Sequence, residues 1–110
     1  MAKPAGPTSH DVVDVVRRAL DTSRVGHLGT LDPFAEGLLV LVVGRATRLA
    51  PFAAGWTKSY EGVIRLGVVT TTDDCTGETV RVSEAWRKCD RATVAAVLAR
   101  FHGTIAQVPP

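Results

Sequence analysis

Aromatic residues, cysteines and long apolar runs are all scarce in this 110-residue sequence. The longest apolar run, residues 38–43, is far shorter than the roughly 20 residues of a membrane-spanning helix, so we expect no membrane association. The two cysteines, Cys75 and Cys89, form neither a CxxC pair nor a metal-ligand spacing. We therefore expect reduced cysteines and no metal site. The amino end, MAKPAGPTSH, lacks the apolar core of a signal peptide, and we expect a cytoplasmic protein.

The net charge is also small. The sequence has 13 lysines and arginines against 11 acidic residues, a formal net charge of +2. So small an excess permits nucleic-acid binding through a local basic patch without requiring it. The length and the hydrophobic content of 45% suit one small globular domain or a part of a larger one.

Helices are predicted where a polar capping residue precedes apolar residues at helical spacing. Thr8 or Ser9 caps the first of them, which then closes near Asp21. A short middle helix contains Pro51 or ends at it. Asp90 caps the last helix.

Strands are predicted from two kinds of pattern. The continuous run LLVLVV at residues 38–43 is typical of a buried strand. Alternation over residues 58–70 predicts a long strand, which a polar turn at residues 70–78 connects to a return strand at residues 79–86. Because helices and strands are mixed and a hairpin is included, the sequence predicts the α+β class.

One acidic residue lies in an unusual setting, within RVGHLGTLDPFAEGLL at residues 24–39. Asp32 precedes a proline, which disfavours the helical region for Asp32 itself and suits the first position of a helix, so Asp32 can cap a helix. Gly26 and Gly29 flank His27 and allow a backbone or a flat ligand to approach closely. From these residues alone, a helix cap and an active-site loop both remain open.

Four motifs carry a resemblance to a known family. In chain order they are KPAGPTSHDVV at residues 3–13, VGHLGTLDPFAEGLL at residues 25–39, KSYEG at residues 58–62 and RLGVVTTTDDCTGE at residues 65–78. Together they closely resemble the bacterial TruB-type tRNA pseudouridine synthases, and the resemblance extends to FHGTIAQVPP at the end of the chain. Members of that family usually start with an apolar strand before the first motif and continue well beyond the last.

The resemblance implies a fold and a domain organisation. The family fold is α+β, with a mixed, mainly antiparallel sheet and flanking helices. We expect residues 1–110 to be the amino-terminal portion of such a catalytic domain, with the later catalytic and RNA-binding parts absent.

The resemblance also implies a reaction. A specific uridine in the TΨC loop of tRNA is flipped out, its glycosidic bond is cleaved with the help of an aspartate, and a C-glycoside forms. The isomerisation involves no net redox change and no energy input, so we expect no cofactor and no metal. The expected partner is the TΨC arm of tRNA, bound by a monomer.

The resemblance assigns the chemistry to a few matched residues. Asp32 matches the catalytic aspartate, which either attacks the nucleotide covalently or removes a ribose proton. Tyr60 matches the tyrosine that stacks under the target uracil. His27 matches the histidine that fills the space left by the flipped base. Asp74 falls where the family carries an acid in a positioning role, and Lys58 is a structural or phosphate contact.

Other matched residues would support the catalytic loop rather than contact substrate. They are Lys3, Pro4, Gly6, Gly26, Gly29 and Pro33. The cationic partner of Asp32 in the family is an arginine from later in the catalytic domain. We therefore expect residues 1–110 alone to be inactive and, with sheet edges unpaired, prone to aggregate.

Several alternatives stay open. Taken singly, Tyr60 could face the core of a strand, His27 could be structural and Asp74 could be an ordinary turn residue. The guide-RNA-dependent, dyskerin-like enzymes share the first two motifs, although RLGVVTTTDDCTGE favours the stand-alone branch. An RNA-binding module without activity would not need both Asp32 and Tyr60. A glycosidase generally needs two carboxylates across the sugar, and only Asp73 or Asp74 offers an obvious second one.

Overall fold

Helices and short antiparallel strands are mixed along the chain in the computed structural model, which describes residues 1–53 and 55–108. The chain divides into two units, Met1–Tyr60 and Glu61–Pro110. Each strand pair that the structure describes is an antiparallel ladder of two strands. The predicted α+β class is therefore confirmed. Within the described ranges, no helix combines the length and the apolar character needed to cross a membrane.

The first helix, α1 (Ser9–Ala19), forms as predicted. Thr8 is its capping residue: the Thr8 hydroxyl accepts a hydrogen bond from the Asp11 amide, and the Asp11 carboxylate accepts one from the Thr8 amide. This reciprocal pair satisfies two backbone donors at the helix start. Val12 and Val13 on the inner face of α1 are buried.

Four strands of the first unit form two separate ladders. They are β1 (Ala2–Lys3), β2 (Val25–His27), β3 (Gly37–Leu38) and β4 (Leu41–Val43). β1 pairs with β3, so that Lys3 lies opposite Gly37. β2 pairs with β4, so that His27 lies opposite Leu41.

The single buried strand predicted for residues 38–43 is wrong. The segment is divided between β3 and β4, which pair with different partners, so the pairing changes from β1 to β2 between Leu39 and Val40. Of these six residues only Leu39 is buried, and Leu38 is 77% exposed. A continuous apolar run indicates a strand covered on both faces. Here the chain instead changes from one two-stranded ladder to another within that run.

The short middle helix is confirmed. A 3-10 helix over Gly44–Leu49 leads into α2 (Ala50–Ala53). Pro51 lies in the first turn of α2, where the missing N–H of proline removes no helical hydrogen bond.

The second unit contains a hairpin followed by a helix. Strands β5 (Val68–Thr70) and β6 (Thr79–Val82) pair around the predicted polar turn. A 3-10 helix follows at Ala85–Lys88, then α3 (Arg91–Leu98), then a 3-10 turn at Ala99–Phe101. Asp90 caps α3 as predicted, since its carboxylate accepts a hydrogen bond from the Thr93 amide at 2.7 Å.

The long strand predicted over residues 58–70 is wrong except at its end. Only Val68–Thr70 is a strand, and no strand in the described part of the chain pairs with residues 58–66. Val63 is fully exposed and Ile64 is 73% exposed. Alternation of side chains makes a strand only where a neighbouring strand completes the ladder.

Candidate active site

The loop between β2 and β3 carries Asp32. Gly29 has a φ of +108°, a conformation that favours glycine. The Asp32 carbonyl accepts a hydrogen bond from the Ala35 amide at 3.0 Å, which closes a turn with Pro33 at its second position. The chain then enters β3 rather than a helix. The helix-cap interpretation of Asp32 is therefore wrong.

Lys3 fixes the part of this loop that follows Asp32. Its ammonium group donates hydrogen bonds to the carbonyls of Ala35 at 2.6 Å, Pro33 at 3.2 Å and Pro4 at 3.1 Å. Lys3 is only 1% exposed. Because an ammonium group has three donors, these three carbonyls satisfy it fully and compensate for its burial.

Gly6 contacts the same loop. Its amide donates a hydrogen bond of 2.7 Å to the Pro33 carbonyl, and its φ of +111° favours glycine. Pro4 contributes through its carbonyl to Lys3. The KPAG segment thus binds the backbone that directly follows Asp32.

Ser9 fixes the part of the loop that precedes Asp32. This contact was not predicted from the sequence. The Ser9 hydroxyl donates to the Leu31 carbonyl and accepts from the Leu31 amide, both at 2.9 Å. Ser9 is 3% exposed. A signal was available in the sequence, because Thr8 and Ser9 supply two hydroxyls at a helix start that needs one cap.

The Asp32 side chain itself is exposed. Within residues 1–53 and 55–108, the ion pairs that form do not include Asp32. The loop therefore presents a carboxylate to solvent from a backbone that is fixed on both sides.

A cleft of about 330 Å³ adjoins this loop. Residues 28–31 and 38–40 form part of its wall, together with Trp56, Lys58 and Tyr60. Tyr60 is 71% exposed, so the alternative of a tyrosine facing the core is wrong. Trp56, 62% exposed on the same cleft, was not singled out by the sequence analysis.

His27, Gly29 and Lys58 all line a smaller pocket of about 240 Å³. The Nδ1 atom of His27 lies 2.7 Å from the Gly29 carbonyl oxygen. Since a carbonyl only accepts, this contact requires the proton on Nδ1 and leaves Nε2 of the neutral ring as an acceptor. A Cβ on Gly29 would lie 3.6 Å from the Lys58 ammonium nitrogen and one on Gly26 would lie 3.7 Å from a Val42 methyl group, both ordinary contact distances.

Asp74 lies in the second unit, inside the hairpin turn. Its Oδ1 atom accepts hydrogen bonds from the Thr76 hydroxyl at 2.6 Å, the Thr72 hydroxyl at 2.7 Å and the Thr76 amide at 2.8 Å. The Thr76 hydroxyl, followed by that of Thr72, holds the pKa of Asp74 below its ordinary value. These contacts organise the turn around an ionised carboxylate.

The site residues thus divide into two groups. One group surrounds the Asp32 loop and the cleft beside it; its members are Lys3, Pro4, Gly6, His27, Gly29, Asp32, Pro33, Lys58 and Tyr60. Asp74 belongs to the other unit and forms its own local network.

Both cysteines are free and exposed. No cluster of three or more potential metal-ligating side chains occurs in the part of the chain that the structure describes.

Comparison with known proteins gives one family. The profile described as TruB family pseudouridylate synthase (N terminal domain) matches residues 17–110. The tRNA pseudouridine synthase B of Symbiobacterium thermophilum is 53% identical over 110 residues, which is 100% of this chain and 36% of that protein. Those of Bacillus cytotoxicus and Geobacillus thermodenitrificans are 49% and 47% identical over 98% of this chain, covering 35% and 36% of their own lengths. The chain spans about a third of the length of these curated relatives.

Proposed function

This chain belongs to the TruB family of pseudouridylate synthases, and on that premise we propose that it is the amino-terminal portion of the catalytic domain of an enzyme that converts uridine to pseudouridine in tRNA. The names of its relatives support tRNA as the substrate. The target is a uridine of the TΨC loop, and the enzyme acts as a cytoplasmic monomer.

The reaction is an isomerisation that balances without a co-reactant. The bond from ribose C1′ to uracil N1 breaks and a bond from C1′ to C5 forms. C5 loses a proton and N1 gains one, so no electrons enter or leave. What the protein must supply is an extruded base, a charged group aimed at the ribose and a route for the proton.

Asp32 supplies the charged group. The observation that supports this role most strongly is the fixation of its loop: Ser9 holds residue 31, while Lys3 and Gly6 hold residue 33. A carboxylate on a backbone fixed from both sides is preorganised for attack on the nucleotide or for removal of a ribose proton.

The cleft beside the loop receives the extruded uracil. The exposed ring of Tyr60 offers a stacking surface on its wall, and the Tyr60 hydroxyl can take part in proton transfer. His27, between two glycines, fills the space that the base leaves, and Lys58 contacts a phosphate. Asp74, fixed in its own turn by Thr72 and Thr76, helps to position the substrate.

The test is the substitution Asp32→Asn in the complete gene product. Asparagine keeps the size of the side chain and removes the negative charge. We expect pseudouridine formation on unmodified tRNA to fall below detection, while tRNA affinity stays close to that of the unsubstituted protein because phosphate contacts dominate affinity.

Glu36→Gln, which removes another exposed carboxylate from the same β2–β3 connection, is the matched control and should retain turnover. Sizeable turnover by Asp32→Asn would overturn the assignment. Release of free uracil by the unsubstituted protein would instead indicate a glycosidase.

A further inference from the structure

We infer that Ser9 is a positioning residue that orients the Asp32 carboxylate, an inference that rests on the proposed function. The Ser9 hydroxyl contacts both polar backbone groups of Leu31, the residue before Asp32. It is 3% exposed, so water does not compete for these hydrogen bonds.

The helix that contains Ser9 does not use this hydroxyl. The start of α1 is already satisfied by Thr8 and Asp11, which exchange hydrogen bonds with each other's amides. Ser9 is the first residue of α1, and its side chain bonds instead to a backbone 22 residues away. The two adjacent hydroxyls therefore differ in role: that of Thr8 caps α1, and that of Ser9 binds the loop.

The geometry of the Ser9 contact restricts the peptide units on both sides of Leu31. The Leu31 amide belongs to the peptide plane that precedes this residue, and the Leu31 carbonyl belongs to the plane that includes the Asp32 nitrogen. Both are held by one oxygen atom at 2.9 Å. On the other side, the Pro33 carbonyl is held by Lys3 and Gly6. The backbone of Asp32 is thus confined between two fixed neighbours, and with it the direction of the Cα–Cβ bond from which the carboxylate projects.

Loss of this contact should displace the Asp32 carboxylate while the protein stays folded. A displacement of about 1 Å at a reacting centre can reduce the rate by about 100-fold. Ser9→Ala in the complete gene product should therefore lower kcat for pseudouridine formation by about 10-fold to 100-fold, with KM for tRNA little changed.

Thr8→Ala is the matched control. It removes the neighbouring hydroxyl and weakens the cap of α1, so it should lower the melting temperature while keeping kcat near that of the unsubstituted protein. Amide hydrogen exchange at Leu31 gives a second measurement that does not depend on activity. Exchange at Leu31 should be faster in Ser9→Ala and unchanged in Thr8→Ala.

Equal losses of kcat in Ser9→Ala and Thr8→Ala would overturn the inference, and so would unchanged exchange at Leu31. If Ser9→Ala does not fold, Ser9→Cys keeps a similar volume with a weak donor and acceptor and should lower kcat partially; full kcat in Ser9→Cys would also overturn the inference. Failure of the proposed function is distinguishable, since either the unsubstituted protein would form no pseudouridine or Asp32→Asn would remain active.

Discussion

Tyr60, the single tyrosine of the sequence, combines an exposed ring with a place on the wall of the cleft beside the Asp32 loop. An exposed ring on a cleft wall contributes little to a core and is open to a ligand that enters the cleft. A nucleobase suits this ring because every base presents a π-face.

Tyr60→Phe and Tyr60→Leu separate the ring from the hydroxyl. In the complete gene product, phenylalanine should keep tRNA affinity within a few-fold, because the ring still stacks. Leucine should weaken capture of the flipped base, since base–aromatic stacking contributes about 1–3 kcal/mol. Binding and single-turnover assays with tRNA measure both effects. Equal affinities and rates for the two variants would contradict a stacking role.

At the scale of the element, the hairpin turn of the second unit is organised by one ionised side chain. Asp74 accepts three hydrogen bonds through one oxygen atom, two from hydroxyls and one from an amide. These bonds favour the charged form, so the pKa of Asp74 lies below its ordinary value of 3.8. A depressed pKa in the folded state means that the charge stabilises the turn above the unfolded pKa. That stabilisation is lost as the pH falls through the lowered folded pKa.

Thr76→Ala should raise the pKa of Asp74 towards 3.8, because the Thr76 hydroxyl is the largest cause of the shift. An NMR titration of the side-chain carboxyl groups measures this directly. Thr93→Ala is the matched control: it removes the corresponding hydroxyl beside Asp90, so it should raise the pKa of Asp90 and leave that of Asp74 unchanged. A Thr76→Ala protein in which Asp74 titrates as before would show that the turn is held by other contacts.

Helices were predictable from the sequence because their signals are local. Thr8 lies three residues from Asp11, and Asp90 lies three residues from Thr93, so both caps can be identified within one helical turn. The strands at residues 38–43 and 58–70 were predicted too long or too buried. A strand depends on a partner that can lie anywhere in the sequence, and apolar alternation does not identify that partner.

The candidate site shows the same limit. The chemical character of Asp32, Tyr60 and His27 was visible in the motifs, whereas the contacts around Asp32 were not derivable from spacing. Ser9 is 22 residues from Leu31, and Lys3 is 32 residues from Ala35. Only the fold brings such residues together: the second hydroxyl at the start of α1 could be read from the sequence, but its partner, Leu31, could not.

For the whole molecule, burial is distributed unevenly. The buried apolar residues in the described part of the chain all belong to the first unit; they are Val12, Val13, Val25, Leu39 and Ala53. The second unit exposes most of its large apolar side chains, including Val80 at 64% and Val82 at 65% on one face of β6. Exposed apolar strands of this kind favour association between chains.

Residues 1–110 expressed alone should therefore aggregate and form no pseudouridine. Aggregation follows from the exposed face of β6, and light scattering measures it. The double substitution Val80→Lys and Val82→Lys, which places charges on that face, should reduce the scattering. The lack of activity follows from Asp32, because none of the ion pairs among the described residues supplies it with the cationic partner that the resemblance implies. Incubation with unmodified tRNA, beside the complete gene product as a positive control, tests this point. Turnover by residues 1–110 alone would mean that the chemistry needs no cation beyond those in this chain.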